Sequence, residues 1–222
     1  MMNKVKKLQL PSAYCKVREP DTISDKTPII LMLHGYSGDE SAMWAFGAQI
    51  PESALAISIR APYKSKDVDI GGYTWVDQPL GYWPVYQDFF PAVEFLKNQI
   101  KEISKRYTRA KFEQISLVGF SQGGAMAVVF TNLFSAAIEK LAMLSSFLPD
   151  SAEGFLSSGK FGQVKVFITH GNKDEMVSIE LAHFAVKMIS GLGSDVTYCE
   201  GDVGHQLDSG CFKALGQFLS GD

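Results

Sequence analysis

Short, continuously apolar runs alternate with helical patterns along most of the chain. Segments with apolar residues at helical spacing separate the runs, as Val93, Leu96 and Ile100 show between the second and the third. The apolar runs lie at residues 28–35, 53–62, 114–120, 140–149, 163–171 and 194–201. Strands that helices cover on both faces are continuously hydrophobic, whereas strands with one solvated face alternate. The pattern therefore predicts a three-layer α/β fold, with a mostly parallel central sheet and helices on both faces.

Two further segments extend this prediction. The opening YCKVREP, residues 14–20, favours an antiparallel edge strand. Residues 63–91 form one long connection between a strand and a helix, dense in aromatic residues, glycine and proline. Loops of this length in a compact domain are usually functional or disordered, and so many aromatic residues argue against disorder. With 222 residues, the chain is expected to form a single domain over 1–222 with an insertion loop at about 63–91.

Charge and composition exclude several classes of function. The net charge is −3, and the lysine and arginine residues are scattered, which argues against binding to nucleic acid or to an anionic membrane. The sequence contains no apolar run of the length that a signal peptide or a membrane span requires, so a cytoplasmic protein is expected. The three cysteines, Cys15, Cys199 and Cys211, lack metal-ligand spacing and are expected to be reduced, packed thiols. No metal or cofactor motif is present, and none is expected.

The segment ISLVGFSQGGAM carries the strongest chemical signal. Gly119, Ser121 and Gly123 fit the G-x-S-x-G pattern, with a buried strand before it and a helix after it. A serine in a sharp strand-to-helix turn adopts strained backbone angles, and a Cβ two residues away on either side would collide with neighbouring backbone. The turn exposes the serine Oγ at the edge of the sheet. Ser121 is therefore the predicted nucleophile, against the alternative of a tight turn that merely contains serine.

A nucleophilic serine needs a base, and the base needs an orienting acid. His205, in the loop between the last strand and the last helix, is the best of four histidines. His183 lies within a helical pattern, while His34 and His170 stand at strand ends and are expected to brace loops by hydrogen bonding.

The orienting acid is expected in a strand-to-helix loop between the serine and the histidine in chain order. Asp174 follows a buried strand and meets both conditions. The neighbouring Glu175, and Asp202 and Asp208 beside the histidine, remain alternatives.

Acyl transfer also requires hydrogen-bond donors for the oxyanion of the tetrahedral intermediate. One is expected to be the backbone N–H of Gln122, directly after the nucleophile. The glycine-containing loop after the first apolar run, LHGYSGDE, is the natural source of the second, through the backbone N–H of Tyr36. An ordinary glycine-rich turn is the alternative interpretation of that loop.

With these residues in place, the sequence resembles the serine carboxylesterases of the phospholipase/carboxylesterase group, which includes the acyl-protein thioesterases and belongs to the α/β-hydrolases. The matching segments are LHGYSGDE, GFSQGGAM, LSSFLP, THGNKDEMV and GHQL, together with RAP at 60–62. The resemblance implies Ser121 as nucleophile, Asp174 as acid and His205 as base, with the amides of Tyr36 and Gln122 as the oxyanion hole. It further implies a small-molecule ester or thioester substrate. Tyr36 stands where many members have leucine.

The aromatic-rich loop is one candidate wall for a substrate pocket. Side chains from this loop and from other strand ends are expected to line the pocket, with a packed cover that contacts no ligand as the alternative. The predicted lining residues are Trp75, Trp83, Phe147, Leu148 and Met176. Exposed aromatic residues around a cleft are also compatible with a homodimer.

Several other functions fit the same fold. Lysophospholipase, acyl-protein thioesterase and peptidase activities share this arrangement, whereas a dienelactone hydrolase normally carries cysteine in the place of Ser121. A catalytically silent α/β-hydrolase that acts as a binding protein is the alternative from another class. Because the base must be neutral, an active enzyme is expected to lose activity in acid, as imidazole becomes protonated at about pH 6 to 7.

Overall fold

The computed structural model describes residues 4–221 and contains one large sheet with helices on both faces. The strands are β1 (Lys6–Gln9), β2 (Tyr14–Arg18), β3 (Ile29–Leu33), β4 (Leu55–Ile59), β5 (Tyr63–Lys64), β6 (Tyr73–Thr74), β7 (Ile115–Phe120), β8 (Ile138–Leu144), β9 (Lys165–Gly171) and β10 (Asp195–Gly201). The α-helices are α1 (Phe90–Arg106), α2 (Gln122–Phe134), α3 (Ser158–Phe161), α4 (Ile179–Gly191) and α5 (Ser209–Ser220). Four 3-10 helices span Ala42–Gln49, Tyr86–Phe89, Ser135–Ala137 and Ala152–Gly154.

The large sheet has eight strands in the order β1-β2-β4-β3-β7-β8-β9-β10. β1 and β2 pair antiparallel, as do β2 and β4, and all the other neighbours in the sheet are parallel. This confirms the predicted α/β class and the mostly parallel sheet. The position of β2 is a correction, because it was expected at the edge. β1, which the sequence did not indicate, takes the edge instead.

The central strands are buried on both faces, as their continuous hydrophobicity predicts. Ile29, Leu31 and Leu33 of β3 face a core formed with α1, α2 and α4. The alternate residues Ile30 and Met32 face a second core formed with the 3-10 helix Ala42–Gln49 and α5. Burial of each large side chain stabilises the fold by roughly 1.5–3 kcal/mol. Because both faces of β3 are buried, apolar residues do not alternate with polar ones along the strand.

The fifth and sixth strands form a separate two-stranded ribbon inside the predicted insertion loop. β5 pairs antiparallel with β6, and the loop ends in the 3-10 helix Tyr86–Phe89, which runs directly into α1. Tyr86 and Phe89 are buried in the core beside α1. The segment from residue 63 to 91 therefore contains a short ribbon and a 3-10 helix, joined by turns and irregular backbone.

The cysteine prediction is wrong for two of the three residues. Cys199 on β10 and Cys211 on α5 form a disulfide, with Cα atoms 5.7 Å apart. Their sequence separation of 12 residues carries no motif. The pair forms because the connection at 202–208 reverses the chain direction, so that α5 packs beside β10. Cys15 is a free, buried thiol as expected, and burial raises its pKa to about 12.

Among residues 4–221, no helix has both the length and the hydrophobicity needed to cross a membrane.

Candidate active site

Ser121 lies in the sharp turn between β7 and α2. Its backbone adopts φ 51° and ψ −123°, a conformation that non-glycine residues rarely occupy. A Cβ on Gly119 would overlap the carbonyl oxygen of Gly123, and a Cβ on Gly123 would overlap the carbonyl oxygen of Leu33. The two glycines are therefore required by close backbone approach, as the motif predicts. The turn is held by the Ser121 N–H, which donates to Leu144 O at 2.8 Å.

Asp174 and His205 meet at the same edge of the sheet. Asp174 follows β9 and His205 follows β10, and these parallel neighbours end side by side. His205 Nδ1 donates to Asp174 Oδ2 at 2.7 Å. The other carboxylate oxygen, Oδ1, accepts from the backbone N–H groups of Met176 and Val177, each at 2.9 Å. The structure thus joins the predicted acid and base by a short hydrogen bond.

The local environment keeps Asp174 ionised. Burial of its side chain opposes ionisation, but the backbone N–H of Val177 and the His205 ring outweigh that effect, with Met176 assisting. The net result is a pKa below the usual range for an aspartate. A carboxylate that stays charged at neutral pH is what an orienting acid requires.

The alternative acids have other positions or other partners. Glu175 is exposed to solvent. Asp202 forms an exposed ion pair with Lys173. Asp208 caps the start of α5, where its carboxylate accepts from the backbone N–H of Cys211 at 2.7 Å. Among the four candidates, Asp174 alone contacts His205 in the described part of the chain.

The imidazole of His205 lies beside the strand-to-helix turn at Gly119–Gly123, which is called the elbow below. Its ring is 4.8 Å, centroid to centroid, from the ring of Phe120, which directly precedes Ser121. The His205 side chain is 15% exposed, whereas that of Asp174 is fully buried behind it. His183, by contrast, lies on α4 and contacts Glu200 at 3.0 Å on the surface. The structure therefore places the His205 ring beside Phe120, the residue before the predicted nucleophile, and His183 on the surface.

His34 braces the predicted oxyanion loop. Its Nε2 accepts from the backbone N–H of Ala61 at 3.0 Å, so the proton is on Nδ1, which donates to Gly35 O at 2.8 Å. Burial lowers the pKa of His34, and the Gly35 carbonyl opposes that shift. The tight packing of the loop is also seen at Gly38, where a Cβ would lie 2.8 Å from the His34 ring. Tyr36 and the strained Ser37, with φ 61°, occupy the loop between these contacts.

The insertion joins the oxyanion loop to the elbow through contacts that the sequence did not reveal. The side-chain carbonyl of Gln122 accepts from the Thr74 hydroxyl and from the backbone N–H of Trp75, both at 3.0 Å. The indole N–H of Trp75 donates to His34 O at 2.7 Å. Thr74 carries no motif and could have been found only from the three-dimensional contact. These bonds fix the predicted oxyanion donors relative to one another.

A cavity of about 380 Å³ opens in front of Ser121 and Gln122. Residues of the insertion line the cavity, together with Phe147, Met176 and Val177. Trp83 packs against Phe147 with ring centroids 4.2 Å apart. The remaining lining residues are Tyr36, Asp67, Ile70, Thr74, Val76, Gln78, Pro79, Leu80, Gly81, Tyr82 and Pro84.

Two predicted pocket residues lie elsewhere. Trp75 is fully buried, and Leu148 is almost so, and neither is among the described residues that line the cavity. Trp75 is turned into the core by its bond to His34 O, and it supports the site from beneath. Leu148 belongs to the same apolar core as α2. Trp83, Phe147 and Met176 line the cavity, and Met176 is 72% exposed.

Comparison with known proteins identifies a family and a shared fold. Residues 14–221 match the family profile described as Phospholipase/Carboxylesterase. A carboxylesterase from Bacillus cereus superposes with a TM-score of 0.79 at 17% identity, covering 95% of each chain. One from Mesorhizobium loti gives 0.80 at 16% identity, covering 98% of this chain and 99% of the other. SOBER1 from Arabidopsis thaliana gives 0.65 at 21% identity, covering 87% and 98%. At these identities the solved structures establish a shared fold.

Proposed function

Because the chain belongs to the phospholipase/carboxylesterase family, we propose that it hydrolyses carboxylic esters through an acyl-enzyme formed on Ser121. The observation that carries this proposal is the 2.7 Å hydrogen bond between His205 and Asp174, placed beside a serine in a strained elbow. The order Ser, Asp, His along the chain is that of the α/β-hydrolases. A catalytically silent binding protein would not need a buried, ionised carboxylate aimed at an imidazole.

The proposed first step is acylation. Ser121 Oγ attacks the ester carbonyl carbon, and His205 Nε2 takes the hydroxyl proton. Asp174 Oδ2 accepts from Nδ1–H and stabilises the imidazolium that forms. The oxyanion is held by the backbone N–H groups of Gln122 and Tyr36. Gln122 begins α2, so the positive end of the helix dipole adds to this stabilisation.

The tetrahedral intermediate then collapses. The bond between the carbonyl carbon and the alcohol oxygen breaks, and His205 gives its proton to the leaving alcohol. Water enters, loses a proton to His205, and attacks the acyl carbon. The bond between that carbon and Ser121 Oγ then breaks, and His205 returns its proton to Oγ, which releases the carboxylic acid and restores both residues. The chemistry requires no metal or cofactor.

Labelling with a fluorophosphonate tests the nucleophile directly. The wild-type protein is expected to form a stable adduct on Ser121, because its hydroxyl is activated by His205. Mass spectrometry of the labelled peptide checks the site, and the Ser121→Ala variant should remain unlabelled. Absence of any adduct on the folded wild-type protein would favour the binding-protein interpretation. A panel of p-nitrophenyl esters and acyl thioesters then measures which bond is preferred.

The pocket wall gives a prediction about acyl-chain length. Trp83→Ala removes the indole that packs on Phe147, so the cavity becomes longer on that side. The ratio of kcat/KM for a long acyl chain to that for a short one is expected to rise about tenfold, since one methylene in an apolar pocket already contributes about 1–3 kcal/mol. Steady-state kinetics on a series of p-nitrophenyl esters measures the ratio.

Phe184 on α4 is the matched control for Trp83. Both side chains are 37% exposed, but Phe184 does not line the cavity. Phe184→Ala should therefore leave the chain-length profile unchanged. If Trp83→Ala also leaves it unchanged, the indole does not contact the acyl chain.

A further inference from the structure

His170 is a second histidine that contacts the predicted acid. It lies near the end of β9, four residues before Asp174, and its side chain is fully buried. Its Nε2 lies 2.8 Å from the carbonyl oxygen of Val177 and 3.2 Å from Asp174 Oδ2. Asp174 Oδ2 thus faces two imidazoles, that of His205 at 2.7 Å and that of His170.

The partners of His170 decide which ring nitrogen carries the proton. A backbone carbonyl can only accept a hydrogen bond, so the 2.8 Å contact with Val177 O requires a proton on Nε2. The same nitrogen lies 3.2 Å from Asp174 Oδ2, in a close contact beside its hydrogen bond to Val177 O. Nδ1 is buried and has no hydrogen-bond partner in the described part of the chain. The one N–H of this ring therefore donates to the Val177 carbonyl, in the turn that also holds Asp174.

His170 also closes the turn that holds the other carboxylate oxygen. Val177 uses its N–H to bind Asp174 Oδ1 and its carbonyl to accept from His170. The imidazole consequently links β9, the turn and the carboxylate into one unit. Without His170, the turn that presents the Val177 N–H to Asp174 Oδ1 would lose its hydrogen bond to β9. The chain that carries His205 is a loop, whereas His170 lies near the end of β9, which pairs with a strand on each side.

We propose that His170 is a positioning residue that holds the Asp174 carboxylate so that Oδ2 faces His205 Nδ1. This inference rests on the proposed function. His170 does not line the cavity, and its ring is completely enclosed, so it acts through Asp174 and not on the substrate. The carboxylate accepts two backbone N–H groups on Oδ1 and the His205 N–H on Oδ2, while His170 holds the turn that supplies the Val177 donor and lies 3.2 Å from Oδ2.

A pair of substitutions separates the donor from the volume of the ring. His170→Leu fills the buried site with an apolar side chain and removes the N–H. His170→Gln supplies an amide N–H close to the position of Nε2. In the leucine variant kcat is expected to fall about tenfold to 100-fold, since small displacements of a catalytic group have effects of this size, with KM little changed. The glutamine variant should recover most of the loss. Thermal unfolding of each variant checks that it is folded.

A double-mutant cycle with Asp174→Asn tests whether His170 acts through the carboxylate. When the carboxylate is absent, His170→Leu should change kcat by less than about twofold, since its target is gone. An equal loss in both backgrounds would overturn the proposal, because a general structural role gives additive effects. Wild-type kcat in the leucine variant, or a glutamine variant as impaired as the leucine one, would overturn it too.

Two further readouts complete the experiment. Proton NMR of the wild-type protein should show a far-downfield resonance from the hydrogen bond between His205 Nδ1 and Asp174. This resonance should be lost or broadened in His170→Leu and kept in His170→Gln. Fluorophosphonate labelling of the wild type separates the two proposals. If the wild type is not labelled, the proposed function fails. If it is labelled and the variants behave as the wild type does, only the role of His170 fails.

Discussion

Asp174→Asn is expected to lower kcat about 10⁴-fold, the loss that this change causes in a serine-histidine-aspartate triad. The asparagine carbonyl can replace Oδ1 and accept from Met176 and Val177 N–H. Its NH₂ group then takes the place of Oδ2, which accepts from His205 Nδ1 in the wild-type protein. Two donors cannot pair, so His205 has to expose Nδ1 as an acceptor and carry its proton on Nε2. A ring in that state cannot take the proton of Ser121.

Glu175→Gln is the matched control for this change. The substitution is the same in chemistry and lies one residue away, but Glu175 is exposed and does not contact His205. Its kcat should stay within about twofold of the wild-type value, as expected for a surface change away from the site. Steady-state hydrolysis of a p-nitrophenyl ester measures both variants, and thermal unfolding checks their folding. A large loss of kcat in Glu175→Gln, with normal activity in Asp174→Asn, would identify Glu175 as the orienting acid instead.

The sequence predicts a strand accurately where the apolar run and the strand have nearly the same bounds. The run at 163–171 contains β9, and the run at 114–120 contains β7. The run at 140–149 is less accurate, because β8 ends at Leu144. Ser145 adopts φ 45° there and turns the chain out of the sheet. Phe147 is apolar because it lines the cavity, so the hydrophobic pattern continues after the strand has ended.

Local patterns indicate candidate residues for the proposed triad, but not the contacts around them. Ser121, Asp174 and His205 each follow a strand in a parallel sheet, and parallel strands end at the same edge. The bond between Thr74 and Gln122 joins residues 48 apart, and no local pattern encodes it. Pairing of Cys199 with Cys211 likewise depends on how the chain returns after β10.

The long insertion shows why pocket residues are harder to predict than catalytic ones. Its aromatic composition correctly indicates that it is folded, yet composition does not tell which ring faces the cavity. Trp75 is turned inward by a hydrogen bond to His34 O, whereas Trp83 is turned toward Phe147. The direction of each side chain is set by partners that are distant in sequence. Positions 75 and 83 are therefore indistinguishable until the fold is known.

Gly123→Ala is expected to destabilise the protein by about 1–3 kcal/mol or more, because overpacking of close-packed backbone has costs of this size. The new Cβ would overlap Leu33 O and lie 2.5 Å from His34 O. Both are backbone atoms of the chain that enters the oxyanion loop, so no side-chain rotation relieves the collision. His34 O also accepts from the Trp75 indole. Displacement of this segment should therefore misplace Tyr36, and kcat/KM should fall about 100-fold in whatever fraction remains folded.

Gly191→Ala provides the comparison for Gly123→Ala. Gly191 is the last residue of α4, and a Cβ built on it meets no atom within 4 Å. Alanine there should leave activity unchanged and raise stability by about 0.4–1 kcal/mol, since it restricts the unfolded chain. Urea unfolding and ester hydrolysis measure both variants. If Gly123→Ala were as stable and as active as the wild type, β3 and the elbow could move apart without loss of stability or activity. The close approach of Leu33 to Gly123 would then not be what keeps the oxyanion loop in register with Ser121.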